Sequence, residues 1–405
     1  YTPSMENANW HLAQVKDVDA MLIGHSHQTF PNAASTMNQF NLPNVDKAKG
    51  FVHGVPTVMA NFWGKTLGVI QLQLVARDGR WSVDRTKTVV EARNIQNADR
   101  SFVTPLPAVA ETVRAEHQAT IDYVKTPIGS SDFAMTSYFA DVGDVSAMQI
   151  VNMAQTDYVA NYVKQTMPQF ASLPVLSTAS PFKTGFAGGA DFTDVAAGPI
   201  AINNAADLYL FPNTLYAVKV DGAGLKAWLE AAARRFNQID PARTTEQSLT
   251  GTAPGYTFDM LTHPDMSYEI DVSKPFGSRI VNLSYKGTAV SPSAEFIVAT
   301  NNYRASGGGN FPGLDGSKTI FASPDTNREV LINYVKAVKT LSRAAHGSAR
   351  SWRFVKLATA GPVVFKSAPG KVAVAQAAGI NNIRELRADD GSGKGLAVYA
   401  IDLSK

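Results

Sequence analysis

A short apolar run that ends in a pair of histidines limits most strongly what this chain can fold into. Residues 19–23, Asp-Ala-Met-Leu-Ile, are followed directly by Gly24-His25-Ser26-His27. An apolar run of this length before a glycine is typical of a buried strand that ends in a loop. Loops at strand ends often carry catalytic or binding side chains. The pattern therefore predicts an α/β sheet with a functional loop at the end of one strand.

The spacing of His25 and His27 is compatible with a metal site. Two imidazoles separated by one residue can face one cavity, and neutral imidazole is a good ligand for Zn²⁺, Mn²⁺ or Fe²⁺. A stable divalent site needs roughly four to six ligands, so two histidines alone do not complete one. From spacing alone, two ordinary loop histidines remain the more common outcome.

A second signal comes from two aromatic residues in distant segments. Phe211 precedes Pro212, and Tyr303 begins a segment that continues into three consecutive glycines. Aromatic rings bind nucleic-acid bases by stacking, worth about 1–3 kcal/mol per base, and glycine lets a ligand approach the backbone. Spacing alone leaves core aromatics and a loose turn as an equal alternative. The candidate nucleoside-binding residues are Phe211, Asn213, Tyr303, Arg304, Ala305, Ser306, Gly307 and Gly308.

Composition excludes several classes of function. The 405 residues include no cysteine, which excludes a cysteine nucleophile, a disulfide scaffold and cysteine-type zinc sites. The formal net charge is only +3, and no dense Lys/Arg cluster indicates a nucleic-acid polymer as partner. No apolar run approaches the ~18 residues of a membrane helix. A ligand that carries phosphate is therefore expected to be a small one.

The pattern along the chain predicts two domains joined by a helix. Pro105 and Pro107 mark the boundary, and residues 108–125 have helical periodicity with Val109 and Val113 on one face. Further helices are predicted from about Val145 to Thr166 and from Leu225 to Phe236. The predicted divisions are 1–104 for the first domain, 105–126 for the linking helix and 127–405 for the second domain.

The Gly-His-Ser-His motif after an apolar strand resembles the last metal motif of the calcineurin-like metallophosphoesterases. The resemblance implies that residues 1–104 are the C-terminal portion of a metallophosphoesterase sandwich. It also implies that His25 and His27 each contact one of two divalent ions, Zn²⁺, Mn²⁺ or similar. The family's other metal motifs and its catalytic histidine do not occur before residue 25. They are expected in a missing N-terminal segment, so that no catalytic residue is expected in this chain, and this chain alone is expected to be inactive.

Residues 203–230 and 301–313 resemble the 5′-nucleotidase C-terminal domain, which implies that residues 127–405 form a nucleoside-binding domain. They are most similar to the bacterial branch that acts on 2′,3′-cyclic nucleotides and 3′-nucleotides. Phe211-Pro212-Asn213 and Tyr303-Arg304-Ala305 carry this likeness. Lys183 stands near the position where related enzymes direct an arginine toward phosphate, although a solvated lysine is at least as expected there.

The resemblance implies a metal-dependent phosphoesterase that is periplasmic or otherwise exported in bacteria. Such an enzyme opens a 2′,3′-cyclic nucleotide to a 3′-nucleotide and then releases phosphate and nucleoside. Two alternatives stay open: a 5′-nucleotidase or nucleotide-sugar hydrolase, and a nucleoside-binding module without activity.

Overall fold

A computed structural model describes residues 8–99, 101–143, 146–347 and 349–405. The chain divides into two compact units, residues 1–115 and 116–405. The division falls inside the segment 105–126 that the sequence predicts to link two domains, and the three predicted boundaries stay predictions. Within the described ranges, no helix is both long and apolar enough to cross a membrane.

The first unit is built around one small mixed sheet. Its elements are helices α1 (Asn9–Leu12) and α2 (Pro107–Thr112) and strands β1 (Met21–Ile23), β2 (Thr29–Phe30), β3 (Val45–Asp46), β4 (Phe51–Val52), β5 (Val55–Ala60), β6 (Thr66–Gln71), β7 (Leu74–Arg77), β8 (Arg80–Val83) and β9 (Val89–Asn94). Strand β5 is central: β1 pairs with it in parallel, while β2 and β4 pair with it antiparallel. Phe30, Phe40, Val55 and Met59 are buried in the core beside this sheet.

The structure corrects the predicted burial of the strand at residues 19–23. Strand β1 is only partly buried, because its side chains alternate between two faces: Met21 and Ile23 pack against the core, whereas Leu22 on the opposite face is 81% exposed. Residues 66–77 form two strands, β6 and β7. Strands β8 and β9 are separated by a turn at Asp84, whose Oδ1 accepts a hydrogen bond from the Thr86 N–H at 3.0 Å.

The predicted linking helix forms two helices, α2 and α3 (Arg114–Val124), that are separated at Val113. Neither helix buries a residue, and Val109 and Val113 are 57% and 50% exposed. The predicted apolar face is therefore not a packing face. Its valines are too widely spaced among polar and charged side chains to form a continuous stripe.

The second unit contains the larger core. Its strands are β10 (Pro127–Ser131), β11 (Met135–Thr136), β12 (Val175–Ala179), β13 (Asp194–Val195), β14 (Gly198–Ala201), β15 (Thr214–Asp221), β16 (Gln247–Ser248), β17 (Met260–Leu261), β18 (Met266–Ile270), β19 (Ile280–Tyr285), β20 (Thr288–Ala289), β21 (Glu295–Asn301), β22 (Thr319–Thr326), β23 (Thr340–Leu341), β24 (Trp352–Phe354), β25 (Val363–Ser367), β26 (Ile383–Arg387) and β27 (Ala397–Ile401). Its helices after α3 are α4 (Ser146–Thr166), α5 (Ile202–Leu208), α6 (Gly222–Ala232), α7 (Asn302–Ala305), α8 (Asn327–Val338), α9 (Arg343–His346) and α10 (Val372–Ala377).

The central sheet of this unit has the strand order β17-β12-β21-β15-β22. Strands β12 and β21 are parallel, whereas β15 runs antiparallel to both β21 and β22. Helix α4 packs against β12 and β21, and α8 packs on α4. Smaller sheets, β16-β25-β27-β26, β20-β19-β18-β24, β14-β10-β23 and β11-β13, complete the unit.

The two helices predicted in this unit are present. Helix α4 covers Ser146–Thr166, while its predicted first residue, Val145, lies outside the described residues. Helix α6 begins three residues before the prediction, at Gly222, because the Asp221 carboxylate caps it by accepting from the Gly224 N–H at 2.7 Å. The apolar face of α6, which includes Leu225 and Trp228, is buried.

Candidate functional site

The histidine loop lies beside the loop that follows β5. Because β1 and β5 are parallel, with Ile23 opposite Met59, their carboxyl ends lie at the same edge of the sheet. The Ser26 hydroxyl donates to the Met59 sulfur at 3.3 Å, which ties the loop to β5. The His27 ring stacks on Phe62, with ring centres 4.8 Å apart and planes 25° apart. The structure therefore places His25-Ser26-His27 against the end of the central strand.

Both histidines have backbone conformations that are uncommon outside glycine. The φ angles of His25 and His27 are +72° and +56°. A non-glycine residue in this left-handed region costs conformational energy, and such residues concentrate at functional loops. Both residues are exposed. The strained loop is the local feature that most supports a functional role for this segment.

The described residues do not complete a metal site around these histidines. Among them, no group of three or more His, Cys, Asp or Glu side chains could hold a metal ion. The two imidazoles fit a divalent transition metal in type but supply at most two of the roughly four to six ligands required. Metal binding at His25 and His27 therefore stays a prediction.

Phe62 and Asn61 lie beside the histidine loop but were not among the predicted site residues. Phe62 supplies the ring beneath His27, and the Lys65 ammonium lies 3.8 Å from the centre of the Phe62 ring. Asn61 donates to the Thr29 hydroxyl at 3.0 Å, and its Oδ1 is buried without a hydrogen-bond partner among the described residues. The available signal was their position directly after an apolar strand.

In the second unit, the structure brings the segments of Phe211 and Tyr303 to the same end of two paired strands. Phe211 precedes β15 and Tyr303 follows β21, and Leu215 of β15 pairs with Asn301 of β21. The Thr214 N–H donates to the Asn302 side chain at 3.2 Å, which links the two segments directly. Phe211 is 41% exposed and Tyr303 is 39% exposed, so each ring retains surface that a ligand could cover.

Phe211 is held from two sides. The Phe182 ring packs against it nearly at a right angle, with ring centres 5.0 Å apart. The preceding backbone is fixed by Arg328 of α8, which donates to the carbonyls of Tyr209 and Leu210 at 3.1 and 2.5 Å. Phe182 directly precedes Lys183, the predicted phosphate contact, and its aromatic packing was not predicted.

Tyr303 is held by the glycine segment that follows it. The Gly308 N–H donates to the Tyr303 carbonyl at 2.8 Å, so the chain folds back beneath the ring. A Cβ at residue 308 would lie 2.5 Å from Cδ1 and Cε1 of Tyr303, so only glycine fits there. Asn301 caps the short helix α7 by accepting from the Arg304 N–H at 2.8 Å. These contacts define the position of the Tyr303 ring.

The predicted binding residues differ in how they are placed. Arg304 and Ala305 are buried, Ser306 is exposed, and Gly307 and Gly308 are half-buried. The Arg304 guanidinium forms a two-fold ion pair with Asp259 at 2.7 and 2.8 Å. Arg304 and Ala305 therefore lie on the inside of the segment, and their predicted contact with a nucleoside stays a prediction. Asn213 is half-buried, and its side chain makes no hydrogen bond within the described part of the chain.

Lys183 is paired with a carboxylate. Its ammonium forms an ion pair with Asp207 of α5, whose other carboxylate oxygen accepts from the Asp194 N–H at 3.2 Å. Burial raises the pKa of nearby Asp191, and the positive charge of Lys183 opposes that rise. A phosphate at Lys183 would have to compete with Asp207. The predicted contact between Lys183 and phosphate therefore stays a prediction.

Comparison with known families assigns a domain to the part of the chain that contains Phe211 and Tyr303. Residues 127–316 match the family model of the 5′-nucleotidase C-terminal domain. The chain contains this domain. The match begins at the first residue of β10, and the nucleotidase domain includes both Phe211 and Tyr303. The predicted family resemblance and the mixed α/β fold class are confirmed.

Relatives that match beyond the nucleotidase domain are named as enzymes. The chain is 39% identical to a 2′,3′-cyclic-nucleotide 2′-phosphodiesterase/3′-nucleotidase of Salmonella typhimurium and 36% identical to the protein of that name from Haemophilus influenzae. Both matches cover all of this chain but only 64% and 63% of those proteins. A trifunctional nucleotide phosphoesterase of Bacillus subtilis is 41% identical over 84% of this chain and 23% of its own length.

A solved structure supports the fold. A Staphylococcus aureus protein assigned as a 5′-nucleotidase superposes with a TM-score of 0.56 and 17% identity, over 87% of this chain and 60% of that one. At this identity the likeness concerns the fold alone. By the sequence matches above, the chain spans under two thirds of the length of its Salmonella and Haemophilus relatives.

Proposed function

We propose that this protein hydrolyses phosphoester bonds of nucleotides, opening 2′,3′-cyclic nucleotides to 3′-nucleotides and then releasing phosphate and nucleoside. The observation that carries the proposal is the pair of partly exposed rings, Phe211 and Tyr303, at one end of paired strands in a nucleotidase domain. The names of the Salmonella and Haemophilus relatives support the choice of substrate.

In this proposal the base stacks between Phe211 and Tyr303, and Asn213 contacts its edge. An asparagine side chain presents one acceptor and two donors, which suits hydrogen bonding to a base edge. Ser306, Gly307 and Gly308 orient the ribose through the exposed surface of their segment. Arg304 and Ala305 hold that segment from beneath. Lys183, if it exchanges Asp207 for phosphate, contributes charge next to Phe182.

We further propose that His25 and His27 hold divalent cations, Zn²⁺, Mn²⁺ or similar, together with ligands from outside this chain. The support is the strained histidine loop, the absence of a third ligand among the described residues, and the greater length of the relatives. Two bound cations would supply Lewis-acid stabilisation of phosphoryl oxygens and an activated water. With its ligand set incomplete, this chain alone is proposed to be inactive.

Nucleoside binding without hydrolysis is a second candidate, favoured by the incomplete ligand set around His25 and His27. One experiment separates the candidates: the chain, and separately the longer protein that includes it, are assayed with Mn²⁺ or Zn²⁺ against 2′,3′-cyclic AMP, 3′-AMP and 5′-AMP. Adenosine binding to each is measured by calorimetry. Turnover of the first two substrates by the longer protein supports the proposal, and turnover of 5′-AMP alone contradicts it in favour of a 5′-nucleotidase. Adenosine binding with no turnover by either protein would favour the binding module.

We also propose that the protein acts in the periplasm or is otherwise exported. A chain without cysteine has no thiol that an oxidising compartment could modify. Fractionation of cells that express the longer protein from its own gene tests this directly. Recovery in the cytoplasmic fraction alone would contradict it.

A further inference from the structure

One buried carboxylate is bonded to both sides of the aromatic site. Asp259 is 3% exposed and lies between the segment that carries Phe182 and the segment that carries Tyr303. Ser180 donates to its Oδ1 at 2.6 Å, and Trp228 of α6 donates to its Oδ2 at 2.6 Å. Arg304 donates to both oxygens, from Nη2 and Nε. Each oxygen therefore accepts two hydrogen bonds.

The Phe211 side of the site depends on this carboxylate through Ser180. Ser180 is two residues before Phe182, whose ring packs against Phe211. The Ser180 hydroxyl also lies 3.1 Å from the Tyr256 carbonyl, which is the same carbonyl that accepts from Arg304 Nη2 at 2.8 Å. A displacement of Asp259 would therefore be passed to the ring that supports Phe211.

The Tyr303 side depends on it through Arg304. Arg304 Nη1 donates to the Gly308 carbonyl at 2.5 Å, and Gly308 is the residue that packs beneath the Tyr303 ring. The guanidinium carbon also lies 3.8 Å from the centre of the Phe311 ring. The planar guanidinium group thus bonds the carboxylate, the glycine segment and Tyr256 at once, a geometry that a lysine cannot reproduce.

We propose that Arg304, paired with Asp259, is a positioning residue that fixes the spacing between Phe211 and Tyr303 for a nucleoside base. This inference rests on the proposed nucleoside binding and assigns the buried arginine a function within it. Arg304 acts through Gly308 and Tyr303 and does not touch the ligand. Because the pair is 3% exposed on each side, its geometry is shielded from solvent and from screening by salt.

The second unit offers a matched control. Arg235 and Asp141 form another buried two-fold ion pair, at 2.8 and 2.5 Å, with exposures of 6% and 8%. Arg235 also donates to the Ala253 carbonyl, but it bonds to neither the 180–182 segment nor the 303–309 segment. Replacing either arginine by lysine keeps the charge and removes the two-fold geometry.

The test compares Arg304→Lys, Arg235→Lys and Ser180→Ala with the unaltered chain. Adenosine affinity is measured by calorimetry, melting temperature by circular dichroism, and amide hydrogen exchange by mass spectrometry. Arg304→Lys is expected to weaken adenosine binding by roughly tenfold or more. It should also increase exchange in peptides that cover residues 303–309 and 180–186. Arg235→Lys should lower the melting temperature comparably and leave affinity and these peptides unchanged.

Ser180→Ala removes a single donor and is expected to fold, so it provides the test if Arg304→Lys does not fold. It should weaken adenosine binding severalfold and increase exchange in the same two peptides. If the folded Arg304 and Ser180 variants bind adenosine as tightly as the unaltered chain, this inference is overturned while the proposed binding site stands. An equal loss of affinity in Arg235→Lys would overturn it as well. If the unaltered chain binds no adenosine, the proposed binding site and this inference fail together.

Discussion

The Phe211 ring packs against Phe182 on its inner side and is open to solvent on its outer side. A side chain that only filled the core would be covered on both faces, whereas Phe211 is 41% exposed. Single exposed apolar side chains are common, so this exposure only provides the surface that the proposed base would cover. Tyr209, two residues earlier, is by contrast fully buried. Its hydroxyl accepts a hydrogen bond from the Asn301 side chain at 3.0 Å.

Phe211→Ala is therefore expected to weaken adenosine binding while leaving the fold intact. Loss of one stacking partner corresponds to about 1–3 kcal/mol, or roughly 5- to 150-fold in affinity. Phe276→Ala is the control, because Phe276 is 60% exposed in the same unit and packs on Arg279. Calorimetry with adenosine measures both. An equal effect of the two substitutions would mean that Phe211 has no specific part in binding.

His263 gives the second unit a residue-level dependence on pH. Burial lowers the pKa of His263 from its ordinary value of 6.5, and its Nδ1 accepts a hydrogen bond from the Asp265 N–H at 3.1 Å. Below pH 6.5 the unfolded imidazole takes up a proton that the folded one does not. Stability is therefore fully present above pH 6.5 and falls as the pH decreases toward the lowered folded pKa.

His263→Asn should remove this pH dependence, because an asparagine carbonyl can accept from the N–H two residues later without titrating. The free energy of unfolding, measured by urea denaturation at pH 7.5 and about 5.5, is expected to fall less with pH in the variant than in the unaltered chain. An identical decrease in both proteins would assign the pH dependence to other groups.

At the scale of elements, the segment from α7 to Gly309 shows what local sequence can and cannot predict. The run of glycines after Tyr303 predicts a backbone that a ligand can approach, and the structure shows that the Tyr303 ring itself lies close to Gly308. The burial of Arg304 could not be predicted, because its partner Asp259 is 45 residues away in sequence and reaches it only through the fold of the sheet. Pairing of Lys183 with Asp207 escaped prediction for the same reason.

Gly308→Ala should disturb this segment through overlap and not through backbone strain. The added methyl group would lie 2.5 Å from the Tyr303 ring and from the Tyr303 carbonyl. Overpacking of this kind typically costs about 1–3 kcal/mol. We expect a lower melting temperature and weaker adenosine binding. In Gly251→Ala, the control, the nearest atom is the Arg235 carbonyl oxygen at 3.6 Å, an ordinary contact, so both quantities should remain close to those of the unaltered chain.

At the scale of the whole molecule, the sequence predicted which segments form a domain, a strand or a binding loop better than it predicted which of their side chains are buried. Motifs identified the nucleotidase domain, the strand before His25 and the aromatic residues, because each depends on neighbouring residues in sequence. The exposure of Leu22 was not predicted, because an apolar run alone does not show which face of a strand the protein covers. The exposure of Val109 and Val113 was missed for a similar reason: periodicity indicates a possible apolar face but not a partner that packs against it.

The separation into two units leads to a prediction about metal removal. The candidate base site lies in residues 116–405, and within the described part of those residues no cluster of His, Asp or Glu could hold a metal. Stacking on Phe211 and Tyr303 requires no cation. Adenosine affinity of this chain should therefore be the same in EDTA as with Mn²⁺, whereas phosphate release by the longer protein should stop in EDTA. Loss of adenosine binding on chelation would contradict this prediction and show that metal and base sites are coupled, because no group of the proposed base site needs a cation.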